Sequence, residues 1–363
     1  MKIVSIVGAR LQFIKAAIVS KRLEEFGIEE KMIHTGQHYD YNMYDLFFED
    51  LEIRPPAYNL GIGSGTHGIQ TGKMLIEIEK VLLKESPDLV LVYGDTNTTL
   101  AGAIAAAKLK IPVGHVEAGL RSYNKAMPEE INRVLTDHIS DLLFAPTEIA
   151  VNNLKKENIL NNVFSVGDVM YDIASIIINK VKPKQQLILD NFKLSKKDFV
   201  LVTIHREENT DNKINLFNIF EALKNLANIG YKIFFPIHPR TKKYLDKYKL
   251  LENDFNEHLI ISEPVSYSEM IVLESSAKVI ITDSGGVQKE SYFFKTPSVI
   301  PRKETEWVEL TNSGWNVLTG ADKDKIVEAV LYLFNENINR EWKSFYGDGD
   351  SSYKIAGIIK EII

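Results

Sequence analysis

Short apolar runs alternate with amphipathic stretches along the whole chain. Lys2–Val7 is an apolar run that stops at Gly8, and Phe13–Phe26 follows with helical spacing. Lys31–His34 has strand character. Thr66–Lys84 predicts a long amphipathic helix with Ile69, Leu75, Ile76, Ile78, Val81 and Leu82 as its apolar positions. Leu89–Tyr93 is almost unbroken in its apolarity, and Pro112–Val116 and Leu142–Ala145 repeat the theme. Runs of this kind predict parallel strands covered on both faces.

A second series begins near Asp198. Its expected strands are Phe199–Ile204, Lys232–Pro236, Leu259–Ser262, Val279–Thr282 and Ser298–Ile300, with helices such as Ile214–Asn228 and Asp324–Asn335 between or after them. A turn at Tyr346–Gly349 precedes a last short helix, Ser352–Ile363. Strands alternating with helices predict an α/β fold with doubly wound parallel sheets. Two such series predict two similar, Rossmann-like domains. The polar stretch Lys180–Lys197, with Pro183 inside it, reads as the linker region.

Composition narrows the function. A chain of 363 residues is too long for one ordinary core and suits two domains. With no cysteine, disulfides, thiolate catalysis and cysteine-based zinc sites are excluded. The N-terminus lacks a signal-peptide pattern, and no apolar stretch nears the roughly 20 residues needed to span a bilayer. A soluble, cytoplasmic protein without a membrane partner is the expectation. The net charge of −6 argues against nucleic acid as a partner. An anionic small ligand would need basic residues placed locally, which draws attention to Arg10/Lys15 and His205/Arg206.

Ligands of open parallel sheets bind beyond the carboxyl ends of the strands. The first expected strand ends in Gly8-Ala9-Arg10, where a tight turn into a helix offers N–H groups to an anion and Arg10 and Lys15 add charge. His34 and His38 follow the second strand, but Gly36 between them argues for a loop and against a metal site. Asp95 and Glu117 each lie just beyond a buried strand, where burial and mutual repulsion suit carboxylates to general acid–base work. Glu129 and Glu130 open a helix, a position that the helix dipole alone would explain. In the second series, His205-Arg206 and His238-Pro239-Arg240 end strands in the manner of phosphate contacts. The sharpest signal is Thr282-Asp283-Ser284-Gly285-Gly286, a strand turning through small residues into a helix. Such a turn suits a diphosphate, and Glu290, one turn further on, could accept from a ribose diol. Gly63–Gly68 fits G-x-G-x-x-G but follows the weak segment Pro56–Ile62, so it reads as a loop entering the long helix and not as an NAD site.

These motifs, in order, resemble the non-hydrolysing UDP-N-acetylglucosamine 2-epimerase family, a branch of the two-domain glycosyltransferase-B architecture. They are GARLQFIK (8–15), TGQH (35–38), YGDT (93–96), HVEAGLRS (115–122), PEEINR (128–133), FAPTE (144–148), HREEN (205–209), TDSGGVQKE (282–290) and TEW (305–307). The resemblance implies domains at 1–170 plus 350–363 and at 171–349, with the active site in the cleft between them. It implies that UDP lies on Ser284, Gly285, Gly286 and Glu290, approached by Arg10 and His205, with Arg121, Arg206 and His238 as further substrate contacts. Lys15, Asp95, Glu117 and Glu129 would surround the sugar. Loss of the C2 proton and of UDP would give a glycal, to which UDP re-adds, with no redox cofactor and no metal. Family members are commonly homodimers, and some are activated by their substrate near the loop holding Gln37 and His38. Two departures stand out. Leu11 replaces a usual proline, and Trp307-Val308 replaces the usual Arg-Pro, a version similar to the subgroup acting on UDP-2,3-diacetamido-2,3-dideoxyglucuronate. A UDP-sugar glycosyltransferase, a hydrolysing relative and a nucleotide-sugar sensor would share the Ser-Gly-Gly cradle; the acids favour the epimerase.

Overall fold

The computed structural model describes residues 1–36, 55–251, 256–335 and 340–363, with the side chains of Arg10 and Leu11 also outside the described set. The apolar runs become strands because each can bury both of its faces. Leu89–Tyr93, for instance, has every side chain fully buried. The first sheet contains β1 (Lys2–Val7), β2 (Glu29–His34), β3 (Tyr58–Asn59), β4 (Leu89–Tyr93), β5 (Val113–Val116), β6 (Leu142–Ala145) and β7 (Val163–Ser165). Its order is β3-β2-β1-β4-β5-β6-β7, and all of its pairings are parallel. The helices between and after these strands are α1 (Arg10–Glu25), α2 (His67–Glu85), α3 (Asn97–Lys108), α4 (Pro128–Ile139), α5 (Glu148–Lys156) and α6 (Val169–Val181).

The second sheet contains β8 (Val200–Thr203), β9 (Ile233–Pro236), β10 (Leu259–Ser262), β11 (Val279–Thr282), β12 (Ser298–Ile300) and β13 (Asn316–Leu318), in the order β10-β9-β8-β11-β12-β13. Its pairings are again all parallel. It is accompanied by α7 (Gln185–Asn191), α8 (Glu207–Thr210), α9 (Lys213–Asn228), α10 (Pro239–Lys247), α11 (Tyr267–Ser276), α12 (Gly285–Phe293), α13 (Val308–Asn312) and α14 (Lys323–Asn335). Val200, Val202, Leu223, Ile281 and Val330 belong to its buried core. Both sheets therefore have the doubly wound order, reversing direction between β1 and β4 in one and between β8 and β11 in the other. β3 has only two residues, and β7 and β13, of three residues each, are only partly buried, so none of them shows as an apolar run in sequence.

The chain divides into two compact units, Met1–Ser175 with Ser344–Ile363, and Ile176–Lys343. The division after Ser175 falls inside α6. Lys180–Lys197 is therefore not the linker expected from its polarity. Pro183 opens a 3₁₀ turn at Lys182–Lys184, α7 follows directly, and Leu189 and Leu194 are buried. A proline in the first turn of a helix costs little, because its missing N–H had no partner there. A second correction concerns α2. Its buried apolar residues are Met74, Ile78, Val81 and Leu82, whereas Ile69 and Ile76 are more than half exposed.

The last helix, α15 (Ser351–Ile362), belongs to the first unit. Tyr353 meets Phe26 edge-on at 5.0 Å, beyond the end of α1. The N–H groups of Ser351 and Ser352 donate to the Asp172 carboxylate at 3.1 and 2.7 Å, capping the helix from another element. Gly167 is the hinge of this docking. Its φ is +91°, and a Cβ there would lie 2.6 Å from Ser351 Oγ and 2.8 Å from the Tyr346 carbonyl oxygen. Gly167→Ala should therefore combine backbone strain with a clash against main chain, costing roughly 2–4 kcal/mol. Thermal unfolding should show that loss, with limited proteolysis cutting first around residue 345; an unchanged melting temperature would contradict the packing described.

Candidate active site

In the first unit the two loops at the point of strand reversal are tied by one buried side chain. Gln12 Oε1 accepts from the N–H groups of Gly8 and Ala9 at 2.8 and 2.9 Å. Its Nε2 donates to the Tyr93 carbonyl, Thr96 Oγ1 and Thr99 Oγ1 at 2.6, 3.0 and 2.8 Å. The turn after β1 is thus locked to the end of β4. It also means that the N–H groups of Gly8 and Ala9 are already used, so less of this turn is open to an anion than its glycine suggests. Sequence reading quoted Gln12 within a motif but gave it no role.

Lys15 and Glu117 come together as a largely buried ion pair. Glu117 adopts a left-handed backbone with φ of +78°, which costs a non-glycine residue on the order of 1 kcal/mol or more. The end of β4 touches the same pair, since a Cβ at Gly94 would lie 3.4 Å from Glu117 Oε2 and 3.6 Å from Lys15 Nζ. Lys15 and Glu117 line a small hollow together with Val116, Phe144, Pro146 and Asp168. Asp95 is placed differently. Its carboxylate accepts from Arg133 Nη2 at 2.6 Å, and its carbonyl accepts from Asn132 Nδ2 at 3.0 Å. Both partners belong to α4. Glu129 lies four residues before Arg133, hence on the same face of that helix, and is half-buried.

The structure separates the glutamates that sequence could not. Glu130, fully buried, accepts from Ser122 and Tyr123 N–H at 2.9 and 2.8 Å and from Ser122 Oγ at 3.0 Å, so it fastens the preceding turn. Arg121, expected to bind substrate, is buried instead against internal acids. Its Nε and Nη2 meet Glu157 at 2.7 Å, and its Nη1 meets Asp137 Oδ2 at 2.6 Å and its neighbour's carbonyl. Those bonds engage nearly all of its donors. A guanidinium so engaged braces the loop after Glu117.

In the second unit Asp283 plays the part that Gln12 plays in the first. It is completely buried. It accepts the His205 N–H at 3.0 Å, the Arg206 N–H at 3.1 Å and Asn209 Nδ2 at 3.0 Å. The loops after β8 and β11 are thereby joined. Ser284 caps α12, its Oγ facing the Val287 N–H at 3.5 Å. A Cβ at Gly285 would lie 3.5 Å from Trp307 Nε1, 3.7 Å from Arg206 Nη2 and 3.9 Å from Glu306 Oε2. Two of these atoms, Trp307 Nε1 and Arg206 Nη2, are donors that would suit a diphosphate, the third is a carboxylate oxygen, and Gly286 continues the same first turn. Burial would raise the Glu306 carboxyl, but the charge and bonds of Arg302, with Arg206 nearby, hold it below the ordinary range. His205 packs on His238 with ring centres 5.4 Å apart. His238 Nδ1 accepts the Arg240 N–H at 3.2 Å, which leaves the proton on Nε2. Glu290 receives the Tyr267 hydroxyl at 2.5 Å. Behind it, burial and the Glu290 charge push the Glu274 carboxyl well above the usual range.

The side chain of Arg10, and the residues Gln37 and His38, lie outside the described set. His34 packs edge-on against Phe13, and burial lowers its pKa to about 4. Among the described residues no group of three His, Cys, Asp or Glu is placed to hold a metal ion. Asp283 and Trp307 are the residues whose roles sequence reading missed. Asp283 stood inside the Ser-Gly-Gly motif, and Trp307 was noted only as a departure.

Comparison with known proteins bears on the family and the fold. A family model described as UDP-N-acetylglucosamine 2-epimerase matches residues 21–360. A Methanococcus maripaludis protein named UDP-N-acetylglucosamine 2-epimerase homolog is 55% identical over the full length of both chains. A Pseudomonas aeruginosa UDP-2,3-diacetamido-2,3-dideoxy-D-glucuronate 2-epimerase is 46% identical, again over all of both chains. The crystal structure of Methanocaldococcus jannaschii UDP-GlcNAc 2-epimerase, in complex with UDP-GlcNAc and UDP, has a TM-score of 0.91 at 49% identity, covering 99% of this chain and 100% of that one. From its strand-end chemistry to its full-length likeness, the chain belongs to the UDP-N-acetylglucosamine 2-epimerase family.

Proposed function

We propose that the protein interconverts UDP-N-acetylglucosamine and UDP-N-acetylmannosamine without hydrolysis. A carboxylate takes the C2 proton, the C1–O bond breaks with its electron pair leaving on UDP, and a C1=C2 glycal remains. UDP then re-adds at C1 while a proton is delivered to the other face of C2. The observation that carries this reading is the pairing of acids with cations in the first unit, Glu117 with Lys15 and Asp95 with Arg133. Such pairing keeps carboxylates aimed, as proton removal requires. Glu129 on the Asp95-facing side of α4 supplies a third acid. In the second unit Ser284, Gly285, Gly286, Arg206 and His205 would stabilise departing UDP, and Glu290 would hold the ribose. The M. jannaschii UDP-GlcNAc 2-epimerase, crystallised in complex with UDP-GlcNAc and UDP, supports the same assignment.

One observation favours a second substrate. Trp307 directs its Nε1 toward Gly285 and lies 4.3 Å from the Lys289 ammonium. The P. aeruginosa relative is named for a diacetamido-glucuronate sugar, whose additional carboxylate would need a cationic setting. Pairing of two copies belongs to the same proposal. Ile69, Ile76 and Leu83 are 56%, 52% and 63% exposed in one line along α2, and Ile131 and Leu135 are exposed on α4. α3 packs against both helices. A cytoplasmic location follows from the substrate, since nucleoside-diphosphate sugars are made there. No helix among the described residues is long and apolar enough to cross a membrane.

Proton NMR in D2O tests the reaction. Deuterium should enter C2 of UDP-N-acetylglucosamine as the manno epimer grows, and the faster of the two candidate sugars identifies the substrate. Asp95→Asn, Glu117→Gln and Glu129→Gln should each lower kcat about 10²–10⁴-fold; near wild-type turnover in all three would remove these acids from the chemistry. Asp283→Ala should weaken UDP binding at least about tenfold by freeing the loops after β8 and β11, read by calorimetry. Light scattering should give twice the mass of one chain, and Ile76→Lys with Leu83→Lys should give a single chain of unchanged fold.

A further inference from the structure

The loops that carry Asp95 and Glu117 share one buried anchor. His115 lies within β5 and is completely buried. Its Nε2 is 2.7 Å from the Gly94 carbonyl oxygen, and its Nδ1 is 2.7 Å from Asp137 Oδ1. A carbonyl oxygen can only accept. The other oxygen of Asp137 already takes the Gly119 N–H at 3.0 Å and Arg121 Nη1 at 2.6 Å. Burial alone would raise the Asp137 carboxyl, but the bonds and charges of His115 and Arg121 outweigh it, and the group stays ionised. Both imidazole nitrogens therefore face oxygens at hydrogen-bond distance, one on the Gly94 turn and one on the Asp137 carboxylate.

The consequence is mechanical. Gly94 is gripped on two sides, its N–H donating to the Val116 carbonyl at 3.0 Å and its carbonyl receiving His115 Nε2. Its backbone is left-handed, with φ of +62°, and the next residue is Asp95. On the other loop, Asp137 fixes the N–H of Gly119, two residues after the left-handed Glu117. We infer that His115 is a positioning residue for the epimerisation proposed above: through its two ring nitrogens it joins the Gly94–Asp95 turn to the Asp137 carboxylate that holds the Glu117 loop, and so fixes both acids. This rests on the epimerase reading.

Two near-isosteric variants separate the two bonds. In His115→Gln the amide nitrogen reaches the place of Nε2 and keeps the Gly94 bond. In His115→Asn it reaches the place of Nδ1 and keeps only the Asp137 bond. Each loses one of the two buried bonds, and both should melt earlier by similar amounts. The rate of C2 deuterium exchange and UDP affinity are measured below both melting temperatures. His115→Asn should lose on the order of 100-fold in kcat, the scale of a displacement near 1 Å, with KM and UDP affinity within about threefold of wild type. His115→Gln should stay within about tenfold of wild type in kcat. Equal kcat in the two variants, or losses that appear in KM and UDP affinity instead, would overturn the inference while leaving the reaction intact. A wild-type protein that exchanges no deuterium would overturn the reaction and the inference together.

Discussion

Every strand in both sheets runs the same way, so every strand ends at the same edge of its sheet. At that edge the backbone leaves the ladder and its polar groups need new partners. Where the strand order reverses, neighbouring loops part toward opposite faces of the sheet and leave a crevice. One such crevice lies between the loops after β1 and β4, the other between those after β8 and β11. The residues with chemistry stand there because the topology leaves no other place on a parallel sheet where side chains from several strands can meet.

A crevice is useful only if its loops are held. Both units achieve this with single buried polar side chains that bond to two loops at once. Gln12 bonds to the turn after β1 and to the end of β4, and Asp283 bonds to the loop after β8 from the loop after β11. Asp137 does the same from a helix, reaching Gly119 and Arg121 on one side and His115 on the other. In water these bonds would each be worth about 1 kcal/mol net. Buried, the loss of one partner strands the other and costs more, which makes the loops stiff. Stiffness is what lets Glu117 keep a left-handed backbone and Lys15 stay beside it.

Much of this was legible in the sequence. Six strands, Lys2–Val7, Leu89–Tyr93, Leu142–Ala145, Leu259–Ser262, Val279–Thr282 and Ser298–Ile300, fall where their apolar runs predict, because a strand buried on both faces leaves an unbroken signal. β3 has only two residues, and β7 and β13 are only partly buried, so they leave none. The helices at Val169–Val181 and Gln185–Asn191 were hidden by the polarity of their surroundings. Exposure of Ile69 and Ile76 could not be read, since helical spacing shows which residues share a face but not what covers it. In the site, Lys15, Asp95 and Glu117 announced themselves as charges beyond strands. Arg121 did so too, and its burial between Asp137 and Glu157 depends on two residues 16 and 36 positions away. Partners that distant leave no local mark, and the same holds for Asp283, whose bonds reach back more than 70 residues.

The pairing of each acid with a cation limits what those acids can do alone. A cation bonded to a carboxylate, as Lys15 and Arg133 are here, weakens that carboxylate as a base toward a carbon-bound proton. The positioned acids can contribute about 10²–10⁴-fold, well short of what breaking such a C–H bond demands. The remainder has to come from the bond that breaks with it. In the proposed reaction, charge that collects on departing UDP would be stabilised by N–H groups, a serine and arginine held in place beforehand, each such donor being worth about 10²–10³-fold. Proton loss at C2 then becomes feasible because the electrons have somewhere to go. That division of labour explains why the acids and the diphosphate cradle are built to the same standard, each on a strand-reversal point and each braced by a buried polar side chain. Neither set would catalyse the reaction without the other.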